Sequence, residues 1–294
     1  MHRPVMIEEV MRYLDPEPGE VIVDCTVGEG GHASRILGAI RPGGRLIGID
    51  QDEEVLARAK EKLKDYDGLY TLLWENFKNL DSILKRLKVT RIDGVLFDLG
   101  LSSFQLEAPA RGFSFQREAL LDMRMDKRRK ITAFDLVNHL AQAEMSKILR
   151  DFGEERWSNR IARQIVRARK NGPITTTTQL AEIVRRAVPD RNRYKRIHPA
   201  TRTFQAFRIV VNQELEALET GLSVTIEALA EGSMVLVISF HSLEDRIVKN
   251  KFKKFANAGV LEILTKKPIR PRADEVRVNP RCRSARLRVG RKKR

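Results

Sequence analysis

The sequence predicts an α/β protein, a doubly wound and mostly parallel sheet interrupted by an inserted all-helical domain. Three observations carry this expectation. Four short apolar runs, at 20–25, 44–49, 69–73 and 92–98, are separated by segments of helical length, as in parallel strands covered on both faces. The first run opens into a glycine-rich turn and the second ends in an acid, the outline of a nucleoside-binding βαβ unit. Residues 112–200 then hold no convincing strand, and a strong apolar run returns at Ser233–Ser239. The expected division is 1–111 and 201–294 for the α/β domain and 112–200 for the helical insert.

Taken in order, Ile7 to Leu14 reads as a short helix closed by Pro16 and Pro18. The run Val21-Ile22-Val23-Asp24 leads into Cys25-Thr26-Val27-Gly28-Glu29-Gly30-Gly31-His32. Gly28 and Gly30 allow close approach of backbone to a ligand. Asp50 ends the second strand 22 residues after Gly28, where a carboxylate accepts from ribose hydroxyls. Helices are expected over Gln51–Leu63 and Leu80–Leu87, with right-handed crossovers between the strands. In the insert, Thr132–Leu140, Gln142–Phe152, Arg156–Lys170 and Thr178–Val188 read as helices, broken at Asn171-Gly172-Pro173 and Pro189-Asp190. The run at 233–239 must rejoin the sheet, because a lone apolar strand leaves its edges unpaired. Segments 260–265 and 284–289 are weaker strand candidates.

The chain has 294 residues, a net charge of +16 and a pI of about 10.1, which points to a polyanionic partner. The charge is unevenly placed. Residues 1–105 hold 14 basic and 18 acidic side chains, residues 106–212 hold 23 and 11, and residues 213–294 hold 18 and 10. Small-ligand binding is therefore assigned to the first part and nucleic-acid contact to the rest. The fourteen residues from Arg281 to Arg294 contain eight Lys or Arg and no acid, and read as a basic tail. Arg156, Arg160, Arg163 and Arg167 share one helical face. They form either a phosphate grip or a solvated surface. Two cysteines without a CxxC partner exclude a zinc site and a disulfide framework, and no metal is expected. With no apolar leader and no run of about 18 apolar residues, the expectation is a cytoplasmic protein with no membrane partner.

Two cofactors fit the glycine turn. Gly28-Glu29-Gly30-Gly31-His32-Ala33 matches the dinucleotide pattern G-x-G-x-x-[GA]. S-adenosylmethionine (SAM) carries an ammonium and a sulfonium instead of phosphates, and the carboxylate of Asp24 suits it better than a nicotinamide dinucleotide. Asp98 ends the fourth strand, so it faces the same crevice or caps the following turn. An exocyclic base amine is a poor nucleophile, and an acceptor on its N–H helps localise the lone pair and takes the proton. Asp98, a backbone carbonyl near Leu99 and Ser102 are the candidates. Phe104 is placed to stack on a base or to pack in the core. His241, beyond the strand at 233–239, contacts substrate or makes a structural hydrogen bond.

Several blocks together resemble the MraW family of ribosomal RNA small-subunit methyltransferases. They are Asp24–His32, Asp98–Leu106, Arg111-Gly112-Phe113-Ser114-Phe115, Leu121–Asp126, His198–Ala206 and Ser239–Arg246. The resemblance spans nearly the whole chain. It implies a class I SAM-dependent methyltransferase sheet with a helical insert. It also implies N4-methylation of a cytidine in the decoding region of 16S ribosomal RNA, with that RNA or the assembling small subunit as partner and a homodimer as an option. Carried onto matching positions, the SAM contacts are Gly30, Gly31, His32, Asp50, Phe77, Asp98 and Gln105; Phe77 and Gln105 come from the resemblance alone. The Asp/Asn-Pro-Pro-aromatic block of many amino-methyltransferases is replaced here by Asp98-Leu99-Gly100-Leu101, so its amine-holding geometry does not transfer. A nicotinamide-dependent oxidoreductase and a non-catalytic RNA-binding assembly factor are the competing expectations.

Overall fold

The computed structural model describes residues 4–189 and 198–293. Asp190 of the expected break and the last residue of the expected tail, Arg294, lie outside the described residues. The chain forms two compact units, Met1–Ser102 with Leu215–Arg294, and Ser103–Glu214.

The first unit is built on a seven-stranded sheet in the order β3-β2-β1-β4-β5-β7-β6. Its strands are β1 Val21–Asp24, β2 Arg45–Asp50, β3 Tyr70–Trp74, β4 Ile92–Asp98, β5 Leu229–Ser239, β6 Leu261–Ile263 and β7 Arg286–Lys292. Strands β1 to β5 run parallel, and β7 enters antiparallel between β5 and β6. This is the mostly parallel class I sheet that the sequence predicts. The helices are α1 Ile7–Leu14, α2 Gly31–Ala39, α3 Glu53–Lys62, α4 Leu80–Arg86, α11 Glu214–Ala228, α12 Ser242–Asn257 and α13 Ala273–Val278, numbered in chain order with those of the second unit.

Because strand residues alternate between faces, one sequence supplies two cores. Ile22, Leu46, Leu96, Leu236 and Leu287 pack with Ile36 and Leu37 of α2 on one face. Val23, Ile47, Val95, Phe97 and Val235 pack with Leu222 of α11 and Phe252 of α12 on the other. Burial on both faces is why these strands read as continuous apolar runs.

The expected basic tail is corrected by the structure. Residues 286–292 are an inner strand of the sheet with Leu287 and Val289 fully buried. The intervening arginines pair with acids of the folded sheet unit. Arg288 Nε donates to Asp245 Oδ1 at 2.7 Å, Arg286 Nη1 lies 3.3 Å from Asp245 Oδ2, and Arg291 pairs with Glu262 at 2.6 Å. Cys282, expected in that tail, is fully buried in the core.

The second unit is helical. Its elements are α5 Ser103–Glu107, α6 Ala133–His139, α7 Gln142–Gly153, α8 Ser158–Ala168, α9 Thr177–Ala187 and α10 Ala200–Asn212. Helix α10 packs on α7 and α9, which extends the helical unit past residue 200. The amide of buried Asn212 joins Met125 N and Met123 O at 2.8 Å each and ties the preceding loop to α10. Helix α8 starts at Ser158, so Arg156 lies in the turn before it, with its guanidinium 5.0 Å over the Trp157 ring. Among the described residues no helix is long and apolar enough to cross a membrane.

Candidate active site

Strand register brings three carboxylates to one edge. Asp24 pairs with Gly48, Asp50 with Trp74 and Asp98 with Ile238, so all three stand at the carboxyl ends of adjacent strands β2, β1 and β4. Ligands of open α/β sheets bind at this edge.

The glycine turn is fixed by its own hydrogen bonds. Gly28 N donates to Asp50 Oδ2 at 3.0 Å, and Gly30 N donates to Val27 O at 2.8 Å. Asp98 N donates to Thr26 Oγ1 at 2.6 Å and links the turn to β4. Gly30 has φ 78°, where a side chain is strained. A Cβ on Gly31 would stand 2.7 Å from Pro4 Cγ, so the turn admits no side chain there. His32, at the start of α2, is buried; its Nε2–H donates to Val5 O at 2.9 Å, and its Nδ1 lies 3.6 Å from Asp98 Oδ2.

The electrostatics are those of a site built for a cation. Burial lifts the Asp24 carboxyl to about 7, against the Thr26 N–H it accepts and with help from the charge of Asp50. Burial likewise lifts Asp50 to about 7, opposed by the amides of Asp52 and Gly28. Asp98 is pushed well above the usual carboxylate range by burial, then by the charges of Asp24, Glu244 and Glu275. Its Oδ1 is buried without a hydrogen-bond partner. The side chain as a whole keeps 23 % of its surface exposed, so the carboxyl borders the crevice.

This donor set fits SAM and opposes a dinucleotide. A pyrophosphate needs the turn's amides, and those of Gly28 and Gly30 are already committed. It would also face Asp24, Asp50 and Asp98. The ammonium and sulfonium of SAM are matched by the same acids, and an Asp50 carboxylate accepting two amides keeps lone pairs for ribose hydroxyls.

The remaining candidates divide between the units. Phe77 starts a single 3₁₀ turn after β3, edge-on to Phe97 at 5.3 Å and close against Gly221 of α11. Ser102 closes the first stretch of the sheet unit. His241 caps α12: its Nδ1 accepts from Glu244 N at 3.3 Å, while the Glu244 carboxylate accepts from Phe240 N and His241 N. Its Nε2 stands 3.1 Å from Glu244 Oε1 without hydrogen-bond geometry. Phe104 and buried Gln105 belong to the helical unit, as do Arg156, Arg160, Arg163 and Arg167, all four exposed. Glu244 and Glu275 were not singled out from sequence. The His-x-x-Glu spacing at 241–244 carried the capping signal for Glu244; nothing local marked Glu275. Cys25 is buried and its thiol is raised well above its usual range by burial, so it is no nucleophile.

Residues 1–293 match the model of the MraW methylase family. Three curated relatives are named "Ribosomal RNA small subunit methyltransferase H". That of Sulfurihydrogenibium sp. (strain YO3AOP1) is 50% identical over 99% of both chains. That of Persephonella marina has the same identity and coverage, and that of Thermotoga neapolitana is 50% identical over 98% of this chain and 95% of its own.

Proposed function

Because the chain belongs to the MraW methylase family, we propose that it transfers a methyl group from SAM to N4 of a cytidine in the decoding region of 16S ribosomal RNA. The names of its relatives support small-subunit ribosomal RNA as substrate. One observation carries the amine chemistry: the Asp98 carboxyl at the end of β4 is partly exposed and has a raised proton affinity.

SAM supplies an electrophilic methyl on a sulfonium. Gly30 and Gly31 would line its binding turn, Asp50 would accept from its ribose, and Asp24 and Asp98 would balance its charge; the family resemblance adds Phe77 and Gln105. The Asp98 carboxylate, whose side chain keeps 23 % of its surface exposed at the end of β4, would accept from the N4–H of cytidine, which returns the ring-delocalised lone pair to nitrogen. As the amine takes up the methyl group, that proton would pass to the Asp98 carboxylate. The elevated proton affinity of this carboxyl suits it to the task near neutral pH. His32 Nδ1 stands behind it at 3.6 Å. Ser102 is the second candidate acceptor. The His241 imidazole holds the start of α12; it is a catalytic candidate only through its Nε2. Phe104 is the candidate for base contact, and the four arginines at 156–167 grip phosphates.

The test is mass spectrometry of small-subunit ribosomal RNA from cells with and without this protein. Loss of one N4-methylated cytidine is expected. An unchanged nucleoside profile would contradict the reading.

A further inference from the structure

The helical unit carries a feature that the methyl-donor chemistry does not use. Phe115 and His198 lie face to face, ring centroids 4.7 Å apart and tilted by 31°, and Phe204 meets Phe115 edge-on at 5.0 Å. Phe204 is buried, but Phe115 and His198 remain half-buried.

Both rings are held rigidly. Phe115 sits in a loop stapled at several points. Buried Arg111 donates to Arg124 O at 3.0 Å and Met125 O at 3.1 Å, and Met123 N donates to Arg111 O. Thr177 Oγ1 donates to Arg117 O and accepts from Ala119 N. His198 Nδ1 accepts from Ala200 N at 3.1 Å, which fixes the ring plane at the start of α10. Burial, then the charge of nearby Arg185, lowers the proton affinity of His198 against a smaller opposing effect of Glu182. The unit carries 23 Lys and Arg against 12 Asp and Glu, a net of +11.

We propose that Phe115 and His198 form a stacking platform for an unpaired base of the RNA strand. This rests on the reading of the protein as an RNA methyltransferase and adds where that strand is held. Every nucleobase offers a π-face to an aromatic side chain. Rings fixed in advance lose little freedom on binding. The surrounding charge draws in the phosphates, and the platform selects single-stranded over paired segments because only unpaired bases are free to splay onto it.

The test measures binding of a short single-stranded RNA, and of the same strand with abasic riboses, to the full chain. Phe115→Leu keeps apolar volume without an aromatic face. His198→Asn keeps an acceptor for the Ala200 N–H without the ring. Each is expected to weaken RNA binding about tenfold, to leave abasic-strand binding and SAM affinity unchanged, and to keep the salt slope of the wild type, since no charge is lost. Phe115→Tyr is expected to restore binding. Undiminished RNA binding in a folded Phe115→Leu protein, or an equal loss on the abasic strand, overturns the platform. A wild-type protein that binds no RNA overturns the RNA reading itself and the platform with it.

Discussion

Replacing Asp98 with Asn separates what this residue does for the fold from what it does for the reaction. Its Oδ1 is enclosed and unpartnered, and Asp24, Glu244 and Glu275 all present like charge to it. A buried polar group left unsatisfied costs about 1–3 kcal/mol, and more when charged. Asparagine has the same shape and no charge. It removes the repulsion from the like charges of Asp24, Glu244 and Glu275. The variant is therefore expected to be more stable by about 1–3 kcal/mol near neutral pH. At roughly 2–4 °C per kcal/mol for a unit of this size, the midpoint of thermal unfolding rises by about 2–12 °C. Loss of a positioned proton acceptor lowers turnover by about 10²–10⁴-fold at saturating SAM. Circular dichroism melts and initial rates of labelled methyl transfer to small ribosomal subunits read the two effects separately. A lowered midpoint would refute the burial argument, and undiminished turnover would refute the role as acceptor.

Other expectations follow from the same edge of the sheet. Asp24 and Asp50 bind protons more tightly folded, at about 7, than at their ordinary 3.8. Stability of the ligand-free protein therefore falls as pH rises from about 4 to about 7 and levels off above that. A cationic ligand reverses the preference, so SAM binding should release protons at or below pH 7 and tighten as pH rises through 7; calorimetry in buffers of different ionisation enthalpy would reveal proton uptake if the sign were wrong. Asp50→Ala removes the acceptor of Gly28 N and Asp52 N and is expected to weaken SAM about a hundredfold, from charge-assisted bonds of about 1.5–3 kcal/mol; unaltered affinity would take Asp50 out of the pocket. Changing Arg156, Arg160, Arg163 and Arg167 together to Gln should flatten the dependence of log affinity for RNA on log salt by about 0.7 per lost phosphate contact. An unchanged slope would mark them as a solvated face.

Legibility in the sequence followed burial. Strands β1, β2 and β4 were readable because both their faces are covered, which leaves unbroken apolar runs. Strand β7 was not read as an inner strand, because Arg286, Arg288 and Arg291 interrupt its apolar residues and find their acids only in the folded sheet, at Asp245 and Glu262. Helix α10 was missed because it buries side chains on a broad face, with Thr203, Phe204, Ala206, Phe207 and Ile209 buried within seven residues. That leaves no clean polar stripe. Asp24, Asp50 and Asp98 were legible as acids at strand ends. The capping geometry of His241 depends on the orientation of the Glu244 carboxylate, and the orphaned oxygen of Asp98 depends on three elements meeting. Neither is written in local spacing.

The most direct measurement of the central claim is the position of a labelled methyl group. Small ribosomal subunits lacking the modification are incubated with this protein and methyl-tritiated SAM, and the RNA is digested to nucleosides. Label is expected in N4-methylcytidine, reduced by Asp50→Ala at limiting SAM and strongly reduced by Asp98→Asn at saturating SAM. Label in another nucleoside, or none from a protein that binds SAM, would contradict that claim.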